Sequence, residues 1–155
     1  MKKLNEFDFL NWVELIEKFY TKNPFPAYED GETIYDIENK LKRNKFIASL
    51  KRSVGLGKKI IEVGSGTSQW SIAFAIETNN KIAAFDTTLE SLRLGAAFAK
   101  RHRIGNCIFV HGDLMSDPFL EDYFDIVWCS GVLHHTESAE QGFKIIKKFF
   151  NNNFL

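Results

Sequence analysis

The chain is 155 residues long and 45% apolar, with 15 phenylalanines, one domain's worth of sequence with the means to fill a core. Lys and Arg total 20 and so do Asp and Glu, so no overall field points to nucleic acid or to an anionic membrane surface. No stretch approaches the roughly 20 apolar residues of a membrane span. Met1-Lys2-Lys3 is like the start of a signal peptide, but Glu6, Asp8, Glu14 and Glu17 interrupt the apolar run that would follow, and a soluble, cytoplasmic chain is expected.

Residues 8–20 put Leu10, Val13, Ile16 and Tyr20 on one helical face, with Asn5 or Asp8 as its cap. Asn23-Pro24-Phe25-Pro26-Ala27-Tyr28 then breaks the helix with two prolines and exposes aromatics. Residues 33–52 read as a second helix with Ile34, Ile37, Leu41 and Ala48 in period, ending before Gly55 and Gly57. It carries Lys40, Lys42, Arg43, Lys45, Lys51 and Arg52. Such a row can meet phosphates, but Glu32, Asp36 and Glu38 come before it, and acids early with bases late suit the dipole of a solvated helix. Residues 1–54 are expected to form a helical extension on a sheet domain of residues 55–155.

Ile60-Ile61 and Val63 form a short buried strand that runs into Gly64-Ser65-Gly66-Thr67-Ser68. Thr67 and Ser68 can cap the next helix, whose inner side is Trp70, Ala73, Phe74 and Ile76. Lys81–Phe85 is a second strand closed by Asp86, and Thr88 caps a helix with Leu89, Leu92, Ala96 and Ala99 inward. The third strand is Cys107–His111, followed by Asp113. The fourth is Phe124–Cys129, running into Ser130-Gly131-Val132-Leu133-His134-His135. Ser138–Phe150 is a last helix with Phe143, Ile146 and Phe150 on one face and Ser138 with Gln141 as a capping box. The alternation indicates an α/β, Rossmann-like, doubly wound parallel sheet of strand order 3-2-1-4. In that order two strands separate Cys107 from Cys129, about 14 Å, beyond the roughly 7 Å reach of a disulfide. Both cysteines are expected as reduced core thiols, with no metal site.

A strand, a Gly-x-Gly turn and a helix start make the nucleotide-binding corner of such a sheet, and Gly64 and Gly66 let a ligand approach the main chain. Asp86 follows Gly64 by about 20 residues, the spacing that sets a carboxylate on a ribose. A dinucleotide calls for Gly-x-Gly-x-x-Gly, yet Gln69 holds the last position. Glu62, Asp86 and Asp113 would also surround a pyrophosphate with negative charge. They suit a ligand with a ribose, an adenine and positive groups, which S-adenosylmethionine has.

The runs IIEVGSGTS, AAFDTTLESL, FVHGDL and FDIVWCSGVLHHT resemble, in order and spacing over about residues 58–145, the first four motifs of the class I S-adenosylmethionine-dependent methyltransferases. The likeness is to small-molecule-type members with a glutamine after the turn and a Val-Leu-His-His run. Ser68 stands where that family usually has a third glycine. The resemblance implies S-adenosyl-L-methionine as cofactor, held through Glu62, Gly64, Ser65, Gly66, Ser68, Asp86, Thr87, Asp113, Leu114 and Ser130. Glu62 would take the methionine ammonium, Asp86 the ribose hydroxyls and Asp113 the adenine amine, with Leu114 against the ring. Plainer roles stand beside these: turn glycines, a helix cap shared by Asp86 and Thr88, a loop turn at Asp113. His134 and His135 are candidate general bases where the acceptor must lose a proton, and otherwise cap or pack the next helix. Phe25 and Tyr28 are further substrate-site candidates, on an extension that would close over the cofactor.

The expected function is methyl transfer to a small-molecule acceptor, with no nucleic acid and no membrane as partner. The resembled family continues with a lysine-proline-glycine-glycine turn and three more strands. The fourth strand is therefore expected as an exposed edge, open to homo-oligomer formation. Two other readings stand beside it: a nicotinamide-dinucleotide oxidoreductase domain, and a shortened, catalytically impaired cofactor-binding remnant.

Overall fold

The computed structural model describes residues 6–151, with side chains from Glu14 onward. The helix face at Leu10 and Val13 and the cap at Asn5 or Asp8 therefore lie outside the described residues. Helix α1 spans Glu6–Lys22. The expected single helix over 33–52 is two: α2, Ile34–Arg43, and α3, Lys45–Val54. Asn44 causes the break. It ends α2 in extended backbone, and its Oδ1 accepts the Ile47 amide at 3.2 Å to cap α3. A Thr33–Asp36 capping box starts α2.

Strands β1 (Lys59–Val63), β2 (Lys81–Asp86), β3 (Cys107–His111) and β4 (Ile126–Cys129) are all parallel, in the order β3-β2-β1-β4. The sequence expectation of 3-2-1-4 is borne out. Central β1 and β2 are buried after their first residue, save Asp86 at the end of β2, while β3 and β4 are only partly buried. That is why the central strands read as apolar runs, broken in β1 only by Glu62. Successive side chains alternate between two cores. Ile60, Ile82 and Ala84 face a core shared with α2, α3, α4 (Gln69–Ala75) and α5 (Leu89–Arg101). Ile61, Val63, Ala83 and Phe85 face α6 (Ala139–Phe149). The segments before β1 thus contribute Ile37, Leu41, Ile47 and Val54 to the same core as the sheet.

Two helices turn differently from their sequence reading. In α6 the buried residues are Gly142, Ile145, Ile146 and Phe149, whereas Phe143 is 60% and Phe150 41% exposed. Gly142 sets this rotation, because a Cβ there would lie 2.9 Å from Leu133. In α5, Leu89 is exposed, and Phe98 joins Leu92 and Ala99 inside. The edge beside β4 is partly taken by the chain itself: Phe150 bridges Phe124 in parallel, and the Asn151 amide donates to the Phe124 carbonyl at 2.8 Å. Cys107 and Cys129 are unpaired thiols on opposite edge strands. No helix among the described residues is long and apolar enough to cross a membrane.

Helix α5 presses on the β1–α4 turn at Gly95, where a Cβ would stand 2.6 Å from the Thr67 carbonyl and 3.1 Å from the Ser68 Cβ. Gly95→Ala must push α5 off that turn. It is expected to cost about 1–3 kcal/mol of stability, read as a lower urea midpoint at unchanged slope.

Candidate functional site

At the carboxyl ends of β1, β2 and β4 lies a cavity of about 500 Å³. The order of the sheet puts it where chain direction diverges from β1 toward β2 on one side and β4 on the other, the usual ligand crevice of such folds. Its base is Glu62 to Gly66, its flanks are Phe85 to Thr88 and Asp113 to Met115, and its far side is Trp128 with Ser130 to Val132, His135 and Thr136. Ile16, Tyr20, Phe25, Pro26, Phe46, Ile47 and Trp70 add an apolar wall.

Glu62 sits on the α4 side of β1 and is 5% exposed. Its Oε2 accepts from the Ser71 amide at 2.8 Å and the Ser71 hydroxyl at 2.5 Å. Ser71 is the third residue of α4, so the carboxylate does the capping from the neighbouring strand. Ser68 does not: it is left-handed at φ 64°, and its side chain makes no cap bond. The expected Ser68 cap is therefore corrected. Burial pushes the Glu62 carboxyl up to about 7, with Asp86 adding to the rise and the Ser71 hydrogen bonds opposing it.

Asp86 clamps the turn. Its Oδ2 accepts from the Gly66 amide and its Oδ1 from the Thr88 amide, both at 2.7 Å. Thr88 heads α5 without a side-chain cap bond, so Asp86 does that work as well. The Phe85 carbonyl takes the Gly64 and Ser65 amides at 2.8 and 3.0 Å. Asp113 is exposed at the cavity's edge, and its Oδ1 accepts the Met115 amide at 2.9 Å at the head of the short 3-10 helix Leu114–Ser116.

The glycines answer to the protein's own packing. A Cβ on Gly64 would meet Val132 at 2.0 Å, and one on Gly66 would meet the Phe25 carbonyl at 2.1 Å; both residues have positive φ. Residues 25–28 are strapped over the turn. Thr67 donates its amide to the Phe25 carbonyl at 3.3 Å and its hydroxyl to the Pro26 carbonyl at 2.5 Å. Gln69 Nε2 donates to the Ala27 carbonyl at 3.0 Å, and Lys40 donates to Gln69 Oε1 at 3.2 Å while ion-pairing with buried Glu32. Tyr28 bonds the Thr67 carbonyl at 2.9 Å and stacks on Phe98 at 4.8 Å.

Of the residues singled out from sequence, Glu62, Gly64, Ser65, Gly66, Asp86, Thr87, Asp113, Leu114, Ser130, His135 and Phe25 line this one cavity. Ser68, His134 and Tyr28 do not. Ser68 is fully buried, 3.1 Å from the Ser65 hydroxyl; His134 is exposed beside His135, ring to ring at 3.9 Å; Tyr28 holds the strap. Burial, and the charge His134 would carry, both lower the pKa of His135. Sequence reasoning missed Ser71, Thr67 and Gln69 as holders of the turn. A serine in the first turn of a helix that follows an acidic strand end was a legible signal for the first. The aromatic wall of Tyr20, Phe46, Trp70 and Trp128 had none.

Fold and cavity define a Rossmann-like domain with its cavity at the strand ends. The chain belongs to the methyltransferase domain family, whose sequence model it matches over residues 60–152. It is similar to the demethylmenaquinone methyltransferase of Geobacillus sp. (strain WCH70), 32% identical over 82 residues, covering 51% of this chain and 35% of that protein. Against the demethylmenaquinone methyltransferase of Listeria welshimeri it is 28% identical over 116 residues, covering 74% of this chain and 48% of the relative. The chain thus spans less than half the length of these curated relatives. A SAM-dependent methyltransferase from Aquifex aeolicus shares the fold at a TM-score of 0.65 and 13% identity, over 86% of this chain and 66% of that one.

Glu62 holds a proton in the folded state that an unfolded chain, at the ordinary 4.5, releases. Its favourable contribution is complete below about pH 4.5 and is lost as pH rises toward 7, a change of about 3 kcal/mol. Glu62→Gln keeps an acceptor for Ser71 without the charge. It should match the wild type near pH 5 and exceed it in urea midpoint at pH 8.

Proposed function

We propose that this domain binds S-adenosylmethionine in the cavity and transfers its methyl group to an uncharged, apolar small molecule. The observation that carries the reading is a set of three carboxylates, Glu62, Asp86 and Asp113, along a cavity whose other wall is aromatic. No lysine or arginine lines the cavity among the described residues, so a pyrophosphate would meet only like charge there. A ligand with an ammonium, ribose hydroxyls and an adenine fits that donor set, and the volume suits a cofactor-sized molecule.

In this reading buried Glu62 accepts from the ammonium, Asp86 from the ribose hydroxyls and Asp113 from the adenine amine, with Leu114 as an apolar surface. Ser65, Thr87 and Ser130 supply further polar contacts, and Gly64 and Gly66 shape the turn. Glu62 gives up its proton when a cation arrives, since a neighbouring positive charge favours the carboxylate. Bound S-adenosylmethionine supplies a methyl already activated on sulfur, so much of the acceleration can come from alignment. His135, rather than His134, is the candidate base: it lines the cavity, and its lowered pKa keeps the imidazole neutral near pH 7. An acceptor of the kind the relatives are named for, demethylmenaquinone, suits the aromatic wall. Two unpaired thiols fit a reducing, cytoplasmic setting.

Calorimetry with S-adenosylhomocysteine tests the cofactor half: binding is expected, and none by folded protein would refute it. Asp86→Ala should weaken that binding by about 1–3 kcal/mol. For the chemistry, tritium transfer from labelled cofactor into an apolar extract should fall at least ~100-fold in His135→Asn while homocysteine-conjugate affinity holds. In the wild type the same rate should decline on acidification only below the ordinary histidine range, because burial and His134 lower the His135 pKa. Equal rates in variant and wild type would remove His135 from the reaction.

A further inference from the structure

Equal totals of acid and base conceal an uneven surface. Helices α2 and α3 meet at a corner, and Lys42-Arg43-Asn44-Lys45-Phe46 is exposed at every position. Asn44 holds the corner's shape through its cap on Ile47. Among the described residues, no ion pair engages Lys42, Arg43 or Lys45. The corner adjoins the cavity: Phe46 lines it yet is 66% exposed, with its ring 6.0 Å from that of Trp128 on β4. Phe25, in the strap, likewise lines it and is 70% exposed. Side chains that line a cavity and remain two-thirds exposed stand at its mouth. The exposed acid of the rim, Asp113, follows β3 at the opposite edge of the sheet, about three strand spacings or 14 Å away. One side of the mouth is therefore aromatic and flanked by a basic corner, and the other carries Asp113.

We propose that the α2–α3 corner seats the protein on an anionic lipid surface, with Phe46 in the headgroup layer and the cavity mouth facing the bilayer. Lys and Arg are drawn to anionic headgroups, and aromatic rings settle at the interface between water and hydrocarbon. An apolar acceptor is concentrated in that layer, and a mouth placed there spares it a passage through water. Basic and aromatic side chains also suit single-stranded nucleic acid. The lipid is favoured because the wall that the corner adjoins is apolar and aromatic, which suits a lipid-soluble acceptor. That choice rests on the reading of the cavity as an apolar acceptor's site.

The whole chain would be sedimented with phosphatidylcholine vesicles, and with vesicles in which about a third of the lipid is phosphatidylglycerol. Salt-sensitive binding to the anionic vesicles alone is expected, lost near 0.5 M salt, where the screening length falls to roughly 4 Å. Lys42→Glu, Arg43→Glu and Lys45→Glu together should weaken it at least ~100-fold. Retained binding of S-adenosylhomocysteine would show that this variant is folded. Failure of the wild type to sediment with anionic vesicles at low salt would overturn the proposal, as would undiminished binding by the triple variant. Binding of a fluorescent single-stranded oligonucleotide at this corner, without vesicle binding, would overturn it in favour of nucleic acid. Vesicle binding without S-adenosylhomocysteine binding would support this docking surface and refute the cofactor reading instead.

Discussion

Burying the Glu62 carboxylate is the constraint on which the rest of the site depends. An ionised carboxyl out of water is costly unless it is paired or hydrogen-bonded. Here it has the amide and hydroxyl of Ser71, and its pKa still rises. Those two bonds fix where α4 begins relative to the end of β1, because they replace the cap that Ser68 does not supply. The acid at the base of the cavity is thus a structural cap and a buried carboxyl that holds its proton more tightly than in water. Its burial costs the folded state stability once pH rises past the ordinary carboxyl range.

Around this acid, the Gly64–Ser68 turn is held from several directions. Asp86 and the Phe85 carbonyl hold it from β2, α5 touches it at Gly95, and the Phe25–Tyr28 strap crosses it. The glycines are required by that crowding whatever binds. A glycine turn is therefore weaker evidence of a ligand than its sequence suggests, and the carboxylates carry more. Gln69 shows the same lesson from the other side. In the sequence it marked a departure from the dinucleotide pattern and a likeness to a methyltransferase motif, while in the structure it joins the strap to the Glu32–Lys40 pair.

What was legible in the sequence was whatever is set by near neighbours or by strong burial. Strands β1 and β2 are buried on both faces, so their apolar runs stood out, and acids at or just past strand ends kept their spacing. Harder were features decided by distant contacts. In α6, residues 142–150 offer two apolar stripes, and Gly142 against Leu133 chose the one that excludes Phe143. Asn44 was hidden inside a helical period that continues on either side of it, since Leu41 and Ala48 are both inward. Four aromatics from α1, α3, α4 and β4 meet at the cavity, and no local pattern links residues 20, 46, 70 and 128.

Charge is the clearest case of a whole-chain quantity misleading about a site. A net charge of zero excludes a uniform field, but it says nothing of separation. In this fold the separation follows from topology. Parallel strands with crossover helices gather the ends of β1, β2 and β3 into one crevice, with Glu62 and Asp86 at the ends of β1 and β2 and Asp113 just past β3. The bases sit where α2 stops, because the C-terminal turn of a helix tolerates positive charge, and Asn44 then turns that end toward β4 through the contact between Phe46 and Trp128. A single capping residue thus carries a helix dipole's bias into the electrostatics of a cavity mouth.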